Sequence, residues 1–115
     1  MTNRTLIVAR LARGGAETAV AELFGASDRT RLPLDLGVVR RDLYRFHDLY
    51  FHHIEFRADP HEAITRAGRR DDFRALSEEL RPHVTAYDPA TWRSPADATA
   101  TCFYSWQSPD GGAAP

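Results

Sequence analysis

An arginine and a histidine lie in two neighbouring stretches, residues 38–44 and 49–56, in which apolar or aromatic side chains alternate with polar ones. This period of two predicts β-strands, and we interpret the stretches as an antiparallel hairpin that turns near Phe46-His47. That turn would place Arg41 opposite His52 on one face of the hairpin. The neighbouring pairs on the same face would be Leu43 with Tyr50 and Val39 with Ile54.

The residues alone leave two interpretations of this pair open. An arginine among apolar neighbours is costly to bury unless something pairs with it. One interpretation is therefore a pocket in which Arg41 stabilises an oxyanion and His52 transfers protons. The other is a hairpin edge at which Arg41 reaches solvent and His52 packs against Tyr50.

The histidines do not form a metal-ligand pattern. His47, His52 and His53 are close in sequence, but adjacent residues of a strand point to opposite faces, so His52 and His53 do not easily share a site. No cysteine or glutamate stands at a zinc-like spacing, and Cys102 is the only cysteine, so no intramolecular disulfide is possible. Flavin and nicotinamide motifs are also missing from the sequence. We therefore expect neither a metal nor an organic cofactor.

The elements before the hairpin follow from short local patterns. Residues 5–11 are β-branched and apolar, which predicts the first strand. A helix is predicted from Ala16, with Gly25 at its end. Residues 27–32 predict a polar loop, which Pro33 would keep extended.

Two helices and a last strand are predicted after the hairpin. Asp59 suits the N-cap and Pro60 the first position of one helix, and a second helical stretch ends at Pro82. Residues 100–107 predict the last strand. Residues 108–115 are rich in glycine, alanine and proline and predict a disordered tail.

This order of elements is that of a ferredoxin-like fold. We predict one α+β domain over residues 1–107, with a four-stranded antiparallel sheet and helices on one face. The hairpin is apolar or aromatic on both faces, because Leu49 and Phe51 lie on the face opposite to Tyr50. A sheet face that no helix covers is a site for a partner, and two such sheets packed together form a dimeric barrel. We therefore expect a homodimer.

Composition limits the class of protein. The 115 residues carry a formal net charge of −1, and all 15 basic residues are arginines. A nucleic-acid-binding domain usually has a basic excess, so we expect no nucleic acid partner. The apolar run at residues 6–9 is too short for a signal peptide, and no stretch approaches the length of a transmembrane helix. We expect a cytoplasmic protein with no membrane partner.

The chain resembles the tetracenomycin-type family of type II polyketide cyclases. The resemblance is carried by residues 32–38, 40–50, 52 and 54–55, with Arg45-Phe46-His47-Asp48-Leu49-Tyr50 at the centre. Residues 6–10 resemble the first strand of the family, and Phe103-Tyr104-Ser105-Trp106 resembles its last strand. The resemblance therefore covers nearly the whole chain.

The resemblance implies a dimeric α+β barrel without metal or cofactor. It implies that the substrate is a poly-β-ketone or a partly cyclised aromatic polyketide, which arrives free or on an acyl carrier protein. Carried over by position, the proposed catalytic arginine, histidine and loop acid of the family fall on Arg41, His52 and Asp28. Ser27 stands where the family pattern has a histidine before that acid, which removes one proton shuttle.

The expected reaction is ring closure, in which a carbanion attacks a carbonyl and water leaves. We assign Arg41 to the enolate, His52 to acid–base work, and Asp28 to proton transfer or to orienting a partner. The side chains expected to contact the substrate are Tyr50, Leu43, Trp106 and Phe73, although the aromatic ones equally suit a plain core. Two rival functions stay open: a cofactor-free monooxygenase of an aromatic polyketide, and a non-catalytic chaperone that folds the polyketide chain.

Overall fold

The computed structural model describes residues 3–93 and 95–109. Its elements are β1 Asn3–Leu11, α1 Ala16–Ser27, α2 Leu32–Leu36, β2 Val38–Phe46, β3 Leu49–Phe56, α3 Pro60–Ala67, α4 Asp71–Leu80, β4 Val84–Ala86 and a 3-10 helix Pro95–Ala98. Compared with the predicted elements, α2 and the 3-10 helix are added and the last strand lies elsewhere.

The four strands form one sheet in the order β2-β3-β1-β4, and every neighbouring pair is antiparallel. The central pair, β1 and β3, runs from Asn3 opposite Phe56 to Arg10 opposite Leu49. This is the ferredoxin-like arrangement, so the predicted α+β fold is confirmed. No helix within the described ranges is long and apolar enough to cross a membrane.

The helices cover one face of the sheet, which we call the inner face. On β3 this face carries Tyr50, His52, Ile54 and Phe56, each 6% exposed. The buried helix residues that pack there are Ala16, Val20 and Phe24 of α1, Leu32 and Leu36 of α2, and Leu76 of α4. The alternate residues of β3 lie on the opposite or outer face and are only half-buried.

The prediction that Gly25 ends the first helix was wrong. The helix α1 continues to Ser27, and the backbone N–H of Asp28 still donates to the carbonyl of Phe24 at 2.8 Å. Phe24 is buried in the core, which holds this part of the helix against the sheet. Tertiary packing thus outweighs the low helix propensity of one glycine, which costs about 1 kcal/mol relative to alanine.

The prediction that Pro33 keeps an extended loop was also wrong. Pro33 lies in the first turn of α2, where a missing N–H costs nothing because that turn has no intrahelical acceptor for it. The flanking residues Leu32 and Leu36 are buried in the core and anchor this short helix.

The hairpin turns one residue later than predicted. The turn is His47-Asp48, and His47 adopts a left-handed backbone conformation with φ 55°. The backbone N–H of Leu11 donates to the Asp48 carbonyl at 2.7 Å, and Arg10 Nη1 lies 2.9 Å from the Asp48 carboxylate. Contacts with β1, which local sequence patterns do not reveal, therefore hold the turn in this place.

The later turn changes every cross-strand pair that we predicted. Arg41 lies opposite Ile54 and Leu43 opposite His52, so the predicted pairs Arg41 with His52, Leu43 with Tyr50 and Val39 with Ile54 were wrong. Val39 lies at an irregularity between Val38 and Arg40 and is exposed. Past this irregularity the register differs from the predicted one by two residues, an even number, so Arg41 and His52 keep their shared face.

The last strand lies earlier in the chain than predicted. Directly after α4 the chain pairs Val84–Ala86 with residues 9–11 of β1, and further along the same edge Thr99 forms only an isolated bridge with Ile7. Residues 100–107 are exposed and form no strand, so the prediction of a strand there was wrong. Of the predicted disordered tail at residues 108–115, residues 110–115 lie outside the described residues.

Candidate active site

The structure brings Arg41, His52 and Asp28 together on the inner face, and we call these three residues the inner cluster. Arg41 belongs to β2, His52 to β3, and Asp28 caps the C-terminal end of α1. The Arg41 side chain is only 14% exposed, because it spans the diagonal between the paired strands to reach His52. The alternative in which Arg41 reaches solvent at a hairpin edge is therefore not what the chain adopts.

The Arg41 guanidinium is hydrogen-bonded to both partners. Its Nε and Nη2 donate to the two carboxylate oxygens of Asp28 at 3.0 and 2.9 Å. Its Nη1 lies 2.8 Å from Nε2 of His52. A guanidinium has no acceptor, so Nε2 accepts this hydrogen and the neutral imidazole carries its own proton on Nδ1. The two contacts fix the orientation of the cation and the tautomer of the histidine.

Phe24 forms the wall on which the inner cluster rests. The guanidinium carbon of Arg41 lies 4.7 Å from the centre of the Phe24 ring, within the range of a cation–π contact. The same ring meets the His52 imidazole edge-on, with 4.9 Å between the ring centres. Sequence analysis did not identify Phe24 as a site residue. Phe24 lies four residues before Asp28, so both residues share one face of α1. This spacing is the sequence pattern from which Phe24 could have been predicted as a neighbour of the site.

The His52 imidazole is neutral at physiological pH. Burial, followed by the positive charges of Arg41 and His53, lowers the pKa of His52 from 6.5 to about 3. The resting site therefore holds one fixed cation beside an uncharged imidazole.

The predicted substrate-contacting residues divide into two groups. Tyr50 is buried, and half-buried Leu43 and Phe73 pack against the same core cluster, which also contains Phe24. Leu43 lies directly opposite His52, and the ring centres of Tyr50 and His52 are 6.1 Å apart. Trp106 is exposed in the segment after the sheet and is not part of this cluster. Its role as a substrate contact stays a prediction.

A cleft of about 450 Å³ opens between the start of α1 and the turn of the hairpin. Arg45, which pairs with Tyr50 across the hairpin, lines this cleft, and its Nε lies 3.1 Å from a carboxylate oxygen of Glu17 on the α1 side. The volume falls within the range of small-molecule sites. A small molecule bound in the cleft would lie at the Tyr50 end of the inner cluster.

The chain is similar to known proteins over most of its length. The model of the polyketide synthesis cyclase family matches residues 3–107. Tetracenomycin F2 cyclase of Streptomyces glaucescens is 41% identical, with 96% of this chain and 99% of that protein covered. The polyketide synthase CurG of Streptomyces cyaneus is 43% identical, with 91% and 97% covered.

The fold is likewise shared with a solved structure. The structure of tetracenomycin F2 cyclase, a type II polyketide cyclase, superposes with a TM-score of 0.84 at 39% identity. The superposition covers 92% of this chain and 98% of that one. Given the family match, the identities and the shared fold, this chain belongs to the polyketide synthesis cyclase family.

Proposed function

We propose that this polyketide cyclase closes and aromatises a ring of a poly-β-ketone, or of a partly cyclised aromatic polyketide, by aldol chemistry. The observation that carries the proposal is a buried guanidinium whose orientation is fixed between a carboxylate and a neutral imidazole. Such a group is suited to a reaction in which negative charge develops on a carbonyl oxygen.

Arg41 is assigned to the developing charge. When a methylene between two carbonyls loses a proton, the negative charge of the carbanion is shared with the carbonyl oxygens. Asp28 already holds two nitrogens of the guanidinium, so Nη1, now bonded to His52, is the donor that can turn to that oxygen with little reorganisation. The bidentate contact supports an orienting role for Asp28 rather than proton transfer.

His52 is assigned to proton transfer. Its Nε2 lone pair is engaged by Arg41 in the resting site, so a substrate oxygen that takes over the Arg41 hydrogen also frees Nε2 to accept a proton. Burial is the main cause of the low pKa of His52, and the charge of Arg41 is the second; the negative charge of the enolate offsets this second cause. The imidazolium gives this proton to the alkoxide that the aldol addition forms. His52 then accepts the second methylene proton and returns it to the hydroxyl group that leaves as water, so the base is restored.

The outer face supports a homodimer. Tyr44 and Phe46 on the outer face of β2 are 60% and 63% exposed, and half-buried Phe51 lies beside Tyr44 on β3. Residues 103–106 add a second aromatic surface, in which Phe103 is 96% exposed. A single chain leaves these side chains in water, whereas a second copy would cover them.

The same proposal includes a reaction that needs no cofactor. Side chains of the inner cluster supply both charge stabilisation and proton transfer, so the chemistry needs no further group. The described residues contain no cluster of three side chains arranged to hold a metal ion. Delivery of the substrate, free or on an acyl carrier protein, and a cytoplasmic location stay predictions.

The test is cyclisation of a poly-β-ketone made by a minimal type II polyketide synthase, with this chain added in the presence of a chelator. We expect a new aromatic product that has lost water, and we expect this activity to disappear in the double variant Arg41→Ala, His52→Ala. The matched control is Arg40→Ala, His53→Ala, which removes the neighbouring residues on the outer face. A product that has gained oxygen would instead favour a monooxygenase. Full product with the inner double variant would favour a non-catalytic chaperone.

A further inference from the structure

Tyr50 lies next to the inner cluster but has no part in its hydrogen bonds. It is two residues before His52 on β3, on the same inner face, and it lies between Ala9 of β1 and Arg45 of β2. Its ring plane is tilted by 44° to the imidazole of His52. Apart from a few per cent of its surface, the residue is buried.

The hydroxyl group of Tyr50 is directed to a place where the protein offers it no partner. It makes no hydrogen bond to any residue in the described ranges. Within those ranges, however, no buried side-chain nitrogen or oxygen is left without a partner. The two observations agree only if the hydroxyl oxygen keeps a small opening to solvent. A buried ring with an accessible hydroxyl is an arrangement suited to a ligand.

The nearby cleft indicates what reaches this opening. Arg45, the cross-strand partner of Tyr50, lines the cleft, and so does Leu11, which packs in the same core cluster as Tyr50. Tyr50 itself does not line the cleft, but its cross-strand partner Arg45 does, and His52 follows Tyr50 on the same face. A substrate held in the cleft that reaches Arg41 would therefore come close to Tyr50.

The hydroxyl keeps its proton in these surroundings. Burial raises the pKa of Tyr50 well above its ordinary value of 10, although the positive charge of Arg41 acts in the opposite direction. The phenol is therefore a hydrogen-bond donor throughout the pH range in which the protein works. The same cation that raises the acidity of the phenol is the one assigned to the enolate.

We propose that the Tyr50 hydroxyl is a second hydrogen-bond donor, beside Arg41, to the substrate carbonyl oxygen that becomes the enolate oxygen. This inference rests on the proposed cyclase function. The hydrogen bond shortens and strengthens as charge develops, and the proton stays on Tyr50, so the step needs no co-reactant. Donors aimed at a developing oxyanion act mainly in the transition state.

The test is Tyr50→Phe, which removes the hydroxyl and leaves the ring. We expect kcat to fall about a hundredfold with KM nearly unchanged, as for the loss of one oxyanion donor. The melting temperature should not fall, because the hydroxyl bonds no protein group. Tyr87→Phe is the matched control, since Tyr87 is exposed directly after β4 and belongs to neither the inner cluster nor the proposed dimer interface, and it should keep the full kcat.

A second measurement uses benzoylacetone, an enolisable aromatic diketone, and does not depend on cyclisation. The unmodified protein should lower the pKa of the bound diketone, as followed by the absorbance of its enolate. Tyr50→Phe should also lower the pKa of the bound diketone, but by about one pH unit less than the unmodified protein does. This difference corresponds to the loss of one charge-assisted hydrogen bond. Tyr87→Phe should match the unmodified protein.

The outcomes separate the two proposals. If the unmodified protein cyclises the polyketide and Tyr50→Phe does so equally fast, the Tyr50 donor is overturned and the cyclase stands. If no cyclisation occurs but the diketone responds in a Tyr50-dependent way, the donor stands and the proposed reaction falls. Absence of both effects overturns both proposals.

Discussion

The inner cluster has a counterpart on the outer face of the same hairpin, composed of the same residue types. This outer cluster consists of Arg40, Asp42 and His53. In it the carboxylate lies in the middle, with Asp42 Oδ2 at 2.7 Å from Arg40 Nε and 3.9 Å from His53 Nδ1. In the inner cluster the guanidinium lies in the middle, so the imidazole faces a cation instead of a carboxylate.

The two clusters also differ in their exposure to water. Arg40 is 67% exposed, whereas Arg41 is 14% exposed and rests on the Phe24 ring. In a single chain, water screens the charges of the outer cluster. In the inner cluster Arg41 and His52 are shielded from water, while Asp28, whose side chain is 37% exposed, lies at the rim. Arg40 and Arg41 are thus the same residue type and direct neighbours in the sequence. Arg41 alone is a candidate catalytic group, because it is shielded from water and lies between the carboxylate and the imidazole of its cluster.

The strongest test of this contrast replaces Arg41 and Arg40 in separate variants. Arg41→Ala should lower turnover about a hundred- to a thousandfold, because it removes a donor aimed at developing charge. Arg41→Lys should recover little, since an ammonium cannot reproduce the fork that binds Asp28 on one side and Nε2 on the other. Arg40→Ala should stay within about twofold of the unmodified rate, because Arg40 points away from the inner cluster and its ion pair is with Asp42 on the opposite face. Turnover is measured per folded protein, with melting temperatures beside it.

Two results would contradict this assignment. Equal losses of turnover in the two alanine variants would mean that the faces do not differ functionally. A variant Arg41→Ala that folds poorly, but whose folded fraction turns over normally, would reduce the inner cluster to a structural role.

The second test uses acid stability. The pKa of His52 is about 3 in the folded chain, against an ordinary value of 6.5. Between these values the unfolded chain binds a proton that the folded chain does not, so the free energy of unfolding should fall as the pH is lowered through this window. His52→Gln keeps an acceptor but cannot titrate, and it should flatten the slope by up to about 1.4 kcal/mol per pH unit. Urea unfolding at a series of pH values measures this slope.

The matched control for acid stability is His53→Gln, which removes the neighbouring histidine from the outer face. If it flattens the slope as much as His52→Gln, then burial beside Arg41 is not the cause. Imidazole resonances offer a direct check, because His52 should stay the neutral Nδ1–H tautomer down to low pH.

The smallest expected effect concerns the outer face. Phe46→Glu puts a charge into the proposed dimer interface and should raise the dissociation constant of the dimer about tenfold or more, which corresponds to about 1.4 kcal/mol. Leu34→Glu is the control, because Leu34 is also an exposed apolar residue but belongs to α2. Sedimentation equilibrium measures both. A clean monomer of the unmodified chain at micromolar concentration would refute the homodimer.

The sequence allowed the prediction of the inner pair although the predicted register was wrong. A shift of the pairing register by an even number of residues leaves every side chain on its original face of the sheet. The turn at His47-Asp48 shifts the predicted register by two residues. Arg41 and His52 therefore share a face in either register. Which residue lies opposite which depends on contacts of Asp48 with β1, and these form only in the folded chain.

Other parts of the molecule depend on tertiary packing that no local pattern records. The aromatic run at residues 103–106 has the composition of a strand, yet it stays exposed while Val84–Ala86 pairs with residues 9–11 of β1. The sequence predicted a helical position for Phe24 but not its contact with the site, because that contact requires α1 to dock on the hairpin. Local periodicity therefore predicted most elements, but not which segment pairs with β1 as the last strand.

The docking of α1 on the hairpin also defines what a transfer of the site to another protein would need. Phe24 and Asp28 lie one helical turn apart on α1, and Arg41 and His52 lie on neighbouring strands. All the described contacts of the guanidinium come from these two pieces. Because β1 pairs with β3 and holds the turn through Asp48, a graft for protein engineering would have to include α1, the hairpin and β1.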